Sequence, residues 1–177
     1  MNHVPQKINR LAALVCLVVF SATRLCAQSS TGNATLTVVL SDVLQLTINT
    51  SAVSLNFATA ANYNNGVTSL INSQLTITCN KAYDLRIKTA GPTLINGANT
   101  IPVSNVTVQT VGLGGAAGGT PLVVSALSTT DQTLVRSLPP TMSQAINVQY
   151  STAAGNTAFL KPAGAYVTTV TFTAIAN

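Results

Sequence analysis

From residue 33 onward, apolar residues recur at every second position in short runs, and the three-to-four spacing of an amphipathic helix is almost absent. Thr, Val, Leu and Ile fill the runs, and Asn, Gly, Ser and Pro separate them, as strands and turns require. NATLTVVL (33–40) places Leu36, Val38 and Leu40 on one face, and VLQLTIN (43–49) does the same with Leu44, Leu46 and Ile48. Ser41-Asp42 between them predicts a bend or bulge. VSLNF (53–57) is a further strand. The polar stretch ATAANYNNG (58–66) then predicts a loop with Asn65-Gly66 as its turn.

QLTITC (74–79) and YDLRIKT (83–89) predict a hairpin closed by Asn80-Lys81-Ala82. Leu75, Ile77, Cys79, Tyr83, Leu85 and Ile87 would point inward. Asp84, Arg86 and Lys88 would alternate outward, the pattern of a half-exposed antiparallel strand. SNVTVQT buries Val106 and Val108, and QAINVQY buries Ile146, Val148 and Tyr150. PLVVSAL and TLVRSL are weaker strands, and Pro139-Pro140 interrupts pairing. The final run, AYVTTVTFTA (165–174), alternates most cleanly, with Tyr166, Thr168, Val170, Phe172 and Ala174 on one face. About eight to ten short strands at regular spacing predict an all-β fold, an antiparallel Ig-like β-sandwich. The composition does not break after residue 27, so residues 28–177 read as a single domain.

Residues 1–27 read as a secretory signal peptide. Lys7 and Arg10 precede an apolar run at 11–22, and Leu25 and Ala27 suit a cut after Ala27. The run is too short to span a bilayer comfortably. Removing the leader leaves about 150 residues, enough for one real core. It also changes the charge. Lys81, Arg86, Lys88, Arg136 and Lys161 then face Asp42, Asp84 and Asp131, five positive against three negative, a net of +2. No basic patch that suggests nucleic acid remains. Cys16 and Cys26 leave with the leader, and Cys79 reads as a small buried hydrophobe.

Candidate chemistry is sparse. The one His of the chain is His3, and there is no Glu, so a Ser–His–Asp triad is excluded from the mature chain. Zinc has no ligand set, and three scattered Asp residues do not suggest calcium. GLGGAAGG (112–119) leads into Thr120-Pro121 and a Val-rich strand, so it reads as a flexible loop rather than a phosphate cradle. No catalytic residue, metal ligand or cofactor is expected. Tyr63, in ANYNNG, is the candidate surface contact, with a loop tyrosine lying on the sandwich edge as the alternative.

Three stretches resemble the spore coat protein U and chaperone–usher type pilin subunits of bacteria, and more loosely the WxL-like surface domains. These are ATLTVVLSDVLQLTINTSAVSLNFATA, LTITCNKAYDLRIKT and KPAGAYVTTVTFTA. In the last, Pro162-Ala163-Gly164 ahead of Tyr166 fixes a turn into the closing strand. The sequence departs from the pattern in retaining Cys79 without a partner and in carrying Ala58 where Gly is usual. The resemblance implies a non-enzymatic structural subunit, secreted through the periplasm to the bacterial cell surface. It would self-associate or join other pilin-like subunits, with a periplasmic chaperone and an outer-membrane usher as partners. Such subunits are Ig-like sandwiches short of one strand, filled by the N-terminal strand of a neighbour. Residues 28–41 would hold that donor, with Leu36, Val38 and Leu40 filling the pockets. Two alternatives stand beside it. Residues 33–40 could be the first strand of a complete sandwich, and the protein could be a monomeric adhesin or ligand-binding module that uses the loops at 58–66 and 111–121.

Overall fold

The computed structural model describes residues 29–113 and 118–177. The predicted signal peptide and the centre of the Gly-rich stretch lie outside the described residues. The chain divides into two units, with the boundary after Val39. Residues 29–39 contain no helix or strand, and Leu36 and Val38 are 88% and 72% exposed. Residues 33–40 therefore belong to neither sheet, and the reading of NATLTVVL as the sandwich's own first strand is not observed. All regular structure described lies in the second unit.

That unit is an antiparallel β-sandwich. One sheet has the order β1-β2-β9-β6, built from β1 (Leu44–Ile48), β2 (Thr68–Cys79), β9 (Thr141–Thr152) and β6 (Val106–Thr110). The other has the order β10-β3-β8-β7, from β10 (Val170–Ala176), β3 (Tyr83–Thr89), β8 (Gln132–Leu138) and β7 (Thr120–Pro121). A small ribbon, β4 (Thr93–Asn96) with β5 (Asn99–Pro102), stands apart from both. The first sheet has the A-B-E-D order of an immunoglobulin-type sandwich. In the second, β10 and β3 take the places of F and C.

The core forms where the inward faces meet. Leu75, Ile77, Ile146 and Val148 come from the first sheet, and Tyr83, Leu85, Ile87 and Leu134 from the second, all fully buried. Alternation predicted these faces correctly. It also led to one wrong pairing: β2 and β3 are not a hairpin, because they lie in opposite sheets. Two strands with one apolar face each can pair side by side or face one another, and the alternation is the same in both cases. Asn80 decides for the corner. Its backbone N–H donates to Val43 O (3.2 Å), its side-chain Oδ1 accepts from Val43 N (2.9 Å), and its Nδ2 donates to Ser41 O (2.8 Å). The end of β2 is thus fastened to the chain entering β1, and Lys81-Ala82 carry the backbone across to the second sheet.

The stretch 58–66 corrects a second expectation. It contains a helix, α1 (Ala60–Asn65), rather than a loop alone. Thr59 caps it: Thr59 Oγ1 accepts from Asn62 N (3.3 Å) and Asn62 Oδ1 accepts from Thr59 N (3.0 Å). This reciprocal capping box uses Asn where Glu or Gln is usual, which hid it in the sequence. Gly66 closes the helix at φ 76°, where an added Cβ would run into the Thr152 carbonyl.

Truncating Ile146 to Ala leaves a cavity at the centre of the core. It is expected to lower unfolding free energy by about 2–5 kcal/mol, read from the midpoint of a urea melt with an unchanged slope.

Candidate functional site

The two open sides of the sandwich differ. On one, residues 120–127 cross from sheet to sheet: Leu122 N donates to Leu134 O, Val124 exchanges both bonds with Val108 at 2.8 Å, and Leu127 N donates to Val106 O. On the other, β1 and β10 are the sheet edges, and among the described residues no strand pairs with the outer edge of either. On this side, past the end of β1, lies a groove of about 920 Å³ that reaches β10 only at Val170 and Phe172.

One wall is residues 50–58. Val53, Leu55 and Phe57 turn half-buried faces inward while Ser54 and Asn56 face out, so VSLNF is extended as predicted. It pairs with no strand, however, which the alternation could not reveal. The other wall is residues 161–172. Here Gly164 adopts φ 150°, and the Asn96 side-chain amide occupies the place of a Cβ. Tyr166 Oη donates to Pro162 O at 2.9 Å, closing the turn that Pro162-Ala163-Gly164 predicted. Val167 bridges Ile95 of β4, and Val170 onward pairs with β3, so this wall is held on its far side only. The predicted inward face is the observed one: Tyr166, Thr168, Val170, Phe172 and Ala174 are the more buried set.

The floor is apolar, from Ile101, Val103, Val106 and Leu127, with one polar exception. Gln74 (2% exposed) and Tyr150 (4% exposed) meet there, and Tyr150 Oη donates to Gln74 Oε1 at 3.0 Å. Burial pushes the Tyr150 hydroxyl up to about 12, so it stays a donor across the physiological range. An aromatic group closes one end. Phe57 stacks on Phe159 (ring centroids 4.6 Å apart) and tilts against Tyr63 (5.1 Å). Tyr63, the candidate contact residue, is half-buried at the groove's end. Leu40, like Leu36 and Val38, is exposed, at 85%.

Sequence reasoning did not single out Gln74. Its signal was the polar run Asn72-Ser73-Gln74 interrupting β2. At that run the ladder with β9 shifts register, and Ser73 adopts φ 49°. The bulge turns both Gln74 and Leu75 inward.

The three acidic residues stand apart, each beside its own cation: Asp42 with Lys81 (2.6 Å), Asp84 with Arg86 (3.9 Å) and Asp131 with Lys88 (3.4 Å). Among the described residues no three His, Cys, Asp or Glu side chains gather to hold a metal. Nor is any helix among them long and apolar enough to cross a membrane. Cys79 is a buried free thiol, as its position in LTITC predicted. Compared with known proteins, the chain matches no family model and no curated sequence.

Asp84 is held below the ordinary carboxylate range, first by the Ser137 backbone N–H, then by the Asn177 amide and the Arg86 and Arg136 charges, against an opposing effect of burial. Its contribution to stability is complete above the unfolded value of about 3.9 and is lost as pH falls through the lower folded value. Asp84→Asn should therefore be less stable than the parent at pH 7, and the gap should close as pH drops below about 3.9 in a series of denaturant melts.

Proposed function

We propose that this chain is a non-enzymatic structural subunit, secreted from a bacterial cell and assembled at its surface into a filament, pilus or coat by β-strand addition. The groove between residues 50–58 and residues 161–172 carries the reading. A peptide strand entering there would find unpaired main chain on the 50–58 wall and at the start of β10, and an apolar floor for alternate side chains. The chain carries a segment of matching pattern. Leu36, Val38 and Leu40 recur at strand spacing, are exposed, and join no sheet. Residues 33–40 would extend to roughly 26 Å as a strand.

Magnitudes say where the affinity must come from. Burying three such side chains contributes about 5–9 kcal/mol. Fixing the backbone of the whole segment costs roughly 8–16 kcal/mol. The side chains alone do not suffice, so main-chain pairing with the groove walls and the burial of the groove's own half-covered Val53, Leu55 and Val170 must supply the remainder. Strand addition is suited to this, because it forms all three at once. A free edge with little charge also needs a partner or a guard. During export, a periplasmic chaperone would be that guard, and an outer-membrane usher the site of exchange, as the resemblance to pilin and spore coat U subunits implies.

Purified protein beginning at residue 28 is expected to form head-to-tail oligomers by light scattering, and removal of residues 28–41 to abolish them. A strictly monomeric protein whose melting temperature does not change on that deletion would overturn the reading.

A further inference from the structure

The wall at 51–57 leaves β2 abruptly. β1 pairs in register with Leu75–Cys79, and the last backbone bond of that ladder runs from Asn49 N to Gln74 O (2.8 Å). Continuing the same register would lay residues 51–55 along 68–72 of β2, whose outer edge no described strand covers. The wall does not take this edge, although it would find a full set of main-chain partners there. Instead it lines the groove and, among the described residues, pairs with no strand.

One contact stands at the point of departure. Gln74 Nε2 donates to the Thr50 carbonyl at 3.3 Å, while its Oε1 is occupied by Tyr150. The Thr50 carbonyl is thereby drawn onto a side chain projecting into the core. The polar side chain reaches that place only because of the bulge. Ser73, a non-glycine residue at φ 49°, is held there by Asn147 Oδ1 on its N–H (2.7 Å) and Asn49 Nδ2 on its carbonyl (2.8 Å). A strained residue and two clamping side chains hold the bulge from which Gln74, anchored by Tyr150, reaches the Thr50 carbonyl.

We infer that Gln74, acting through the Thr50 carbonyl, is a positioning residue that turns the 51–57 wall away from β2 and holds the groove open. The inference deepens the strand-addition reading, since an open groove is what an incoming strand needs. Without the lock, the wall folds back as a continuation of β1 and covers the edge of β2. The groove then loses one side.

Gln74→Met keeps the length and volume of the side chain and removes its hydrogen bonds. Amide hydrogen exchange of the full chain is the primary measurement. Residues 51–57 should exchange freely in the parent and slow by about tenfold or more in Gln74→Met, as they gain partners on β2. Tyr150→Phe, which leaves the Thr50 contact in place, should keep free exchange at 51–57. Unchanged exchange at 51–57 in Gln74→Met, or faster exchange spread over both sheets, overturns the inference, because the second is what a merely structural role produces. A labelled synthetic peptide of residues 29–41, added in enough excess to displace a neighbour's own segment from the groove, provides the second measurement. It should bind the parent, dissociating its oligomers, and bind Gln74→Met about tenfold or more weakly. Equal binding to both overturns the lock. No binding to the parent overturns the strand-addition reading instead, and the exchange data still decide the role of Gln74.

Discussion

An apolar core has to be covered on every side, and here the two sheets cover it on two. The remaining coverage comes from chain that runs between the sheets. On one flank residues 120–127 do this with backbone hydrogen bonds to both β8 and β6. On the other flank the covering segments, 50–58 and 161–172, approach from either side without pairing to each other. The groove, its exposed main chain and the half-buried state of Val53, Leu55 and Val170 all follow from that asymmetry. The three carboxylates stand apart from one another, each beside a cation.

Asparagine and glutamine do much of the directing. Asn80 fixes the corner between the sheets, Asn62 completes the cap of α1, Asn49 and Asn147 hold the bulge at Ser73, and Gln74 holds Thr50. Each satisfies backbone groups that the strand ladder leaves over where the chain changes direction. Such amides carry no charge, which fits a chain in which only 6% of residues are charged. Geometry that other folds set with ion pairs is set here by neutral hydrogen bonds, which salt screens little.

Period-two alternation made the inward faces of β2, β3, β6, β9 and β10 legible, because one buried face forces it. Pairing was not legible. Leu75, Ile77 and Cys79 read the same whether β3 lies beside them or opposite them, and only the bonds of Asn80 to Ser41 and Val43 separate the cases. The helix at Ala60–Asn65 was hidden because its start depends on one Thr–Asn exchange rather than on any apolar stripe. The groove was half legible. Pro162, Gly164 and Tyr166 announced one wall, and Val53, Leu55 and Phe57 announced an extended segment. That the segment lacks a ladder partner is a property of the assembled sheets, which no local pattern encodes.

The solitary thiol has its own consequence. Cys79 is the one cysteine between residues 40 and 177, and it is buried in the core. The sandwich therefore matures without an oxidant, and no cross-link within it must form, shuffle or break. Its integrity is indifferent to the redox poise of whichever compartment it passes through. What holds it is hydrophobic contact, hydrogen bonding and ion pairing, all reversible, so the folded body can be taken apart and rebuilt without any covalent event.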